Sequence, residues 1–211
     1  MTNLILHIPH SSDKIPMDKG FVVDKKILAQ EIIKLTDWYT DDLFLFEDSV
    51  IVRADFSRIF CDTERFSDDS QEVMAKYGMG VLYEKSDDGV AIREVNPKLR
   101  EDILNNYYWP HHNKLNQAVN DQLISNGRAL IVDCHSFPSD PLIRDLSQDE
   151  NRPDFNIGTD SFHTPNDLIE ISKYFFKEKG YSLGIDRPYS GTMVPINHYQ
   201  KTKNVSSIML E

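Results

Sequence analysis

The sequence predicts an α/β fold: a three-layer α/β/α sandwich on a central mixed, mostly parallel sheet, with a small accessory hairpin. Short apolar, β-rich runs alternate with longer amphipathic stretches along the 211 residues, and strand, helix, strand order favours a sheet covered by helices. Continuity is the other observation. No repeat, low-complexity tract or Gly/Ser- or Pro-rich linker divides the chain, and 40% hydrophobic content is enough for one sizeable core, so residues 1–211 are read as a single domain.

The expected strands are Leu4 to Ile8, Val50 to Ala54, Ala129 to Cys134, Leu183 to Ile185 and Ser207 to Leu210, each short and β-rich. The expected helices lie at about 24–46, 97–125 and 165–179. Between the first two, GVLYEKSDDGVAIRE at 80–94 reads as two short strands around an Asp-Asp-Gly turn. Pro110 lacks an amide hydrogen and disfavours helix at Trp109, so a kink or break is expected there.

Composition excludes some partners. A net charge of -11 and a pI of about 5.0 give a field that repels phosphate backbones and anionic membrane surfaces, so neither nucleic acid nor a membrane is an expected partner. The apolar run Leu4 to Leu6 has no basic region before it, and no run approaches membrane-spanning length. A cytoplasmic protein is expected. Oligomeric state leaves no signal in the sequence.

Two strand endings carry the chemistry. LILHIPHSS, residues 4–12, ends a strand near Ile8 and releases His10 into the loop at the carboxyl edge, where open α/β sheets bind ligands. ALIVDCHSFPSD, residues 129–140, repeats the pattern at His135. If the strands are neighbours, both imidazoles can reach one ion. The alternatives are a loop-capping His10 and a satisfied core histidine at His7. Asp133 shares the strand face of His135, and can orient its ring or accept sheet-end amides. A catalytic zinc takes three protein ligands and leaves a place for water, and LTDWYTDD at 35–42 offers Asp37, Asp41 and Asp42. Asp41 and Asp42 read as the solvated face of an acidic helix.

Together HIPHSS, TDWYTDDL, SRIFCDTER, YYWPHHNKL, LIVDCHS, FNIGTD, RPYSGT and the terminal SIMLE resemble, in order, the N-formylglutamate amidohydrolase family, whose fold is similar to that of zinc-dependent exopeptidases. The resemblance covers nearly the whole chain. It implies a divalent metal, zinc, held by His10, Asp37 and His135, with Glu211 near the metal-bound water. The family tends to carry Asn where this chain has Glu64, and its late double glycine is here Gly191 followed by Thr192.

The expected substrate is a small anionic N-acyl amino acid, such as N-formyl-L-glutamate, hydrolysed at its amide bond. Arg58 and Arg65 are the candidates for its carboxylates, because guanidinium binds carboxylate through two parallel charge-assisted hydrogen bonds. Each has a structural alternative, for example an Arg58–Asp62 ion pair on one helical turn. His112 resembles the family's helix histidine and is a further substrate-binding candidate, or else packs beneath the kink. Glu211 is the candidate base, since a base must adjoin the metal without being one of its ligands. Two other classes compete: a Cys134-dependent hydrolase, disfavoured because Cys134 and His135 point to opposite strand faces, and a non-catalytic binding module on the same fold.

Overall fold

A computed structural model describes residues 4–211. Six strands form its sheet: β1 (Leu4–Ile8), β2 (Val50–Arg53), β3 (Ala129–Cys134), β4 (Phe155–Gly158), β5 (Leu183–Ile185) and β6 (Val205–Leu210), in the spatial order β2-β1-β3-β6-β4-β5. β2, β1, β3 and β6 run parallel, while β4 pairs antiparallel with β6 and parallel with β5. The sheet is therefore mixed and mostly parallel, as the sequence predicts. β4 was not among the strands expected from apolar runs. Four residues, FNIG, with Pro153 and Asp154 just before them, give too short a run to stand out.

The register positions the chemistry. Ile5 pairs with Ile131 and His7 with Asp133 across β1 and β3, so these four residues share one sheet face. That face packs on the helix α4 (Trp109–Asn126), where Ile5, Val52 and Ile131 meet Leu115, Ala118 and Val119. The opposite face carries Leu6, Ile8 and Cys134, with Phe44 against them. At the far edge α5 (Asn166–Lys179) packs on β5, and Phe176 lies 4.5 Å from Phe155, ring to ring.

The helix expected over 24–46 is two helices, α1 (Lys25–Leu35) and α2 (Thr40–Leu43), broken by an extended Thr36 and a left-handed Tyr39 at φ 66°. The break has a local cause. The Thr36 hydroxyl donates to the Ile32 carbonyl, and the amide of Asp37 leaves the helix to donate to His10 O at 3.1 Å. Near Pro110 the chain does not break: α3 (Pro97–Ile103) continues into α4 through a π-helical segment, Leu104–Tyr108. There the Trp109 amide reaches back five residues to Leu104 O, a register shift that accommodates a proline without ending the helix.

The accessory hairpin is reduced. Its Asp-Asp-Gly turn forms, with Gly89 at φ 83°, but among the described residues only an isolated bridge, Lys85 to Ala91, spans it. The turn closes on itself, the Ser86 amide donating to Val90 O and the Gly89 amide to Ser86 O at 2.9 Å, and also ties outward: the Asp87 carboxylate accepts the amides of Ile143 and Arg144, and the Asp87 amide donates to Glu31. No helix among the described residues is long and apolar enough to cross a membrane.

Candidate active site

β1, β3 and β6 all end at one edge, and beyond that edge opens a cavity of about 760 Å³ that takes in His10, Asp37, Arg58, Glu64, Arg65, Asp133, His135 and Glu211. Neighbouring parallel strands bring His10 and His135 together despite their distance in sequence, with ring centroids 5.1 Å apart. Asp37 arrives from the break between α1 and α2 rather than from a helix face.

Asp37 is the hub. Its Oδ2 accepts from His135 Nδ1 at 2.9 Å and from the Ser136 amide at 3.3 Å, and lies 3.8 Å from His10 Nδ1. The other His10 nitrogen, Nε2, donates to Asp62 Oδ1 at 2.9 Å. Asp62 is itself held by Arg58, whose Nε and Nη2 donate at 3.2 and 3.1 Å, and by the Tyr83 hydroxyl at 2.8 Å. His10 Nδ1 and His135 Nε2 are both buried without a hydrogen-bond partner. His135 Nε2 has carboxylates nearby, Glu64 at 3.2 Å and Asp133 at 3.4 Å.

The electrostatics follow from this crowding. Burial pushes the His135 pKa down, but Glu64, Asp133 and Asp37 overcome it and raise the ring well above its ordinary value. His10 is raised too: burial and Arg58 oppose protonation, and Asp62 and Asp37 prevail. Burial raises Asp37, while the charge of both nearby histidines and the hydrogen bond from His135 pull it below the usual carboxylate range. Glu211 goes the other way. Burial pushes its carboxyl up to about 7, and Asp37 and Glu64 add to the rise, against His135 and a 3.0 Å hydrogen bond from Asn156 Nδ2. The backbone fixes its place: the amides of Glu211 and Asn156 donate to each other's carbonyls at 3.0 Å.

The donor set fits a divalent ion. Ligands about 2.0–2.1 Å from one tetrahedral ion lie roughly 3.3 Å apart, and the Asp37 oxygen sits 2.9 and 3.8 Å from the two histidine nitrogens. Two imidazoles and one carboxylate, with the His10 lone pair aimed inward and unpartnered, leave a place for water. A second group, His7, Glu64 and Asp133, is also close. It fits less well, because both His7 nitrogens are committed, Nδ1 to Asp133 at 2.7 Å and Nε2 to His111 at 2.8 Å, whereas His10 and His135 each keep one nitrogen unpartnered.

Other expectations resolve differently. Arg58 makes the Asp62 ion pair given as its alternative, whereas Arg65 stands 3.6 Å from both Asp62 and Glu72, at ion-pair but not hydrogen-bond distance. His112 does not line the cavity; its ring lies against Tyr108 at 4.2 Å and Trp109 at 6.2 Å. The α4 histidine that reaches the sheet is His111, whose Nε2 meets His7 Nε2 at 2.8 Å. Of the two roles foreseen for Asp133 it takes the second, accepting the Met193 amide at 2.8 Å; the ring it holds is His7, at 2.7 Å, while His135 stays 3.4 Å away. Cys134 is fully buried, its thiol donates to Val132 O and burial pushes its pKa up, which removes it as a nucleophile.

Two supporting residues were not singled out as supports. Asp62 entered the sequence reading only as a partner for Arg58, and Asn156 only inside the FNIGTD motif. A buried strand of the type FNIG with a polar residue in it was the available signal for Asn156.

The family model for N-formylglutamate amidohydrolase matches residues 2–211. The chain belongs to this family. Among solved structures, the N-formylglutamate amidohydrolase from Ralstonia eutropha JMP134 is similar in fold, with a TM-score of 0.85 and 22% identity over 99% of this chain and 81% of that one. A gene product from Agrobacterium tumefaciens is similar with a TM-score of 0.67 and 15% identity, over 99% of this chain and 79% of the other. No curated protein matches the chain in sequence.

Proposed function

We propose that this member of the N-formylglutamate amidohydrolase family is a metal-dependent hydrolase that cleaves the amide of an N-formyl or N-acyl amino acid, such as N-formyl-L-glutamate to L-glutamate and formate. The observation that carries metal dependence is His10: one nitrogen is fixed by Asp62, and the other is buried, unpartnered and turned to Asp37 beside His135. A divalent ion, zinc by its donor set, would be held by His10, Asp37 and His135, and would supply carbonyl polarisation and a lowered water pKa.

The chain's own groups do the rest. Arg65 holds a substrate carboxylate with donors that the 3.6 Å ion pairs leave uncommitted. Glu211 takes a proton from the attacking water as its oxygen bonds to the acyl carbon, then gives the proton to the amine nitrogen as the C–N bond breaks. A carboxyl with its pKa raised to about 7 is suited to both directions of transfer. Asn156 holds the Glu211 side chain in place, and Asp62 fixes the His10 ring.

The test is elemental analysis of the purified protein followed by assay of formate release from N-formyl-L-glutamate. About one ion per chain and activity lost on chelation support the reading. A folded protein that takes up no ion under any loading condition favours the binding module.

A further inference from the structure

The proposed substrate carries two carboxylates, and the cations lining the cavity differ in what they can still offer. Arg58 gives Nε and Nη2 to Asp62. Lys34 stands among three carboxylates, Asp88 at 2.9 Å and Glu31 and Asp87 at 3.5 Å. Arg65 keeps donors free, enough for one carboxylate.

Arg144 is different. It lines the same cavity but makes no ion pair among the described residues. Its Nε donates to the Asp87 carbonyl oxygen at 3.2 Å, its guanidinium carbon lies 5.5 Å from the centre of the Tyr77 ring, and Nη2 rests where a Cβ on Gly89 would come within 2.5 Å. Its own amide is tied at 2.8 Å to Asp87. The backbone and stem are thus clamped while the outer edge of the fork has no charged partner. The cavity also presents Leu35, Met74, Met79 and Leu142, an apolar wall suited to the methylenes that separate two carboxylates.

We infer that Arg144 binds the side-chain carboxylate of a dicarboxylic N-acyl amino acid, with Arg65 on the other carboxylate, and so sets the preference for acidic over neutral substrates. This rests on the amidohydrolase reading above. A guanidinium without a carboxylate partner binds one through two parallel charge-assisted hydrogen bonds, and a neutral amide in its place forfeits the charge.

The experiment compares kcat/KM for N-formyl-L-glutamate and N-formyl-L-glutamine in the parent chain, R144Q and R144K, all metal-loaded. The preference for glutamate should fall about 10- to 100-fold in R144Q, mainly through KM, and by less in R144K, which keeps the charge but not the fork. The same glutamate-to-glutamine ratio in all three proteins overturns the inference. So does an equal loss on both substrates, which would make Arg144 structural. If R144Q fails to fold, R144K decides alone, because an unchanged ratio there contradicts a role for the planar fork. A metal-loaded parent that hydrolyses neither compound overturns the amidohydrolase reading itself, a result distinct from an unchanged ratio.

Discussion

His10 and Asp62 are joined by a 2.9 Å hydrogen bond through His10 Nε2, and that bond decides which nitrogen of the ring faces the cavity. With Nε2 as donor, Nδ1 keeps its lone pair. The carboxylate that fixes the ring is in turn neutralised by Arg58.

Asp62→Asn should therefore act at a distance from the ion. Zinc affinity, measured by competition with a chelator, should fall about 10- to 100-fold, the usual cost of losing a carboxylate behind a ligating histidine. Stability to denaturant should also drop, by about 1.5–3 kcal/mol, because Arg58 loses its charge-assisted hydrogen bonds and keeps only Asp37 at 3.6 Å. An affinity equal to that of the parent would mean the His10 ring is oriented by something else.

Metal should reshape the pH profile of stability. In the metal-free protein His10 and His135 have raised pKa values, so their contribution is complete below the ordinary histidine value of 6.5 and is lost as pH rises through the folded values. Glu211, raised to about 7, likewise contributes most below its ordinary 4.5 and loses that as pH rises. Asp37 and Asp62 are lowered, so their contribution is present above 3.8 and is lost on acidification. The metal-free chain should thus have its highest Tm in mildly acidic solution and lose stability toward pH 8. With zinc that loss should disappear: histidines bound to the ion carry no proton, so stability should rise with pH while the unfolded histidines still titrate, up to about 6.5, and stay level above it. Thermal scans with and without chelator across that range check both curves, and parallel curves would argue against a site at these histidines.

Glu211→Gln keeps the size of the side chain and its place beside Asn156 but cannot take up a proton. Turnover should fall about 10²- to 10⁴-fold with metal content and KM near those of the parent. In the metal-loaded parent, activity should decline on acidification as Glu211 becomes protonated, at a pH below the value of about 7 that burial gives the metal-free carboxyl, because the ion's charge favours the carboxylate. Comparable turnover at saturating metal and substrate would send the search for the base to Glu64 or Asp133.

The two arginines of SRIFCDTER should separate by readout. Arg65→Lys, at a guanidinium that makes no hydrogen bond to Asp62 or Glu72, should lower kcat/KM roughly tenfold while leaving Tm and metal content in place. Arg58→Lys should lower Tm and metal affinity together, because it removes the fork that holds Asp62. Identical behaviour of the two variants would contradict the division of roles.

Much of this molecule was determined by the sequence alone. Alternating periodicity was enough for β1, β3, α5 and the mixed, mostly parallel sheet, because burial of one helix face or both strand faces writes itself into local pattern. The strand-ending histidines were legible for a similar reason: His10 and His135 each stand just past the carboxyl end of a β-rich run, Pro9 ending the first and Pro138 following the second. How distant groups are shared comes instead from contacts across the fold. The break that delivers Asp37 depends on a hydrogen bond to His10 O, the choice of His10 nitrogen depends on Asp62, and the raised Glu211 pKa depends on burial beside Asp37 and Glu64. Arg58 has Asp62 four residues on in sequence, but only the folded carboxylates show that Arg58 is hydrogen-bonded to it while Arg65 stands at 3.6 Å. Helix and strand periods report on neighbours along the chain, whereas hydrogen-bond partners and desolvation come from contacts across it, which no local pattern encodes.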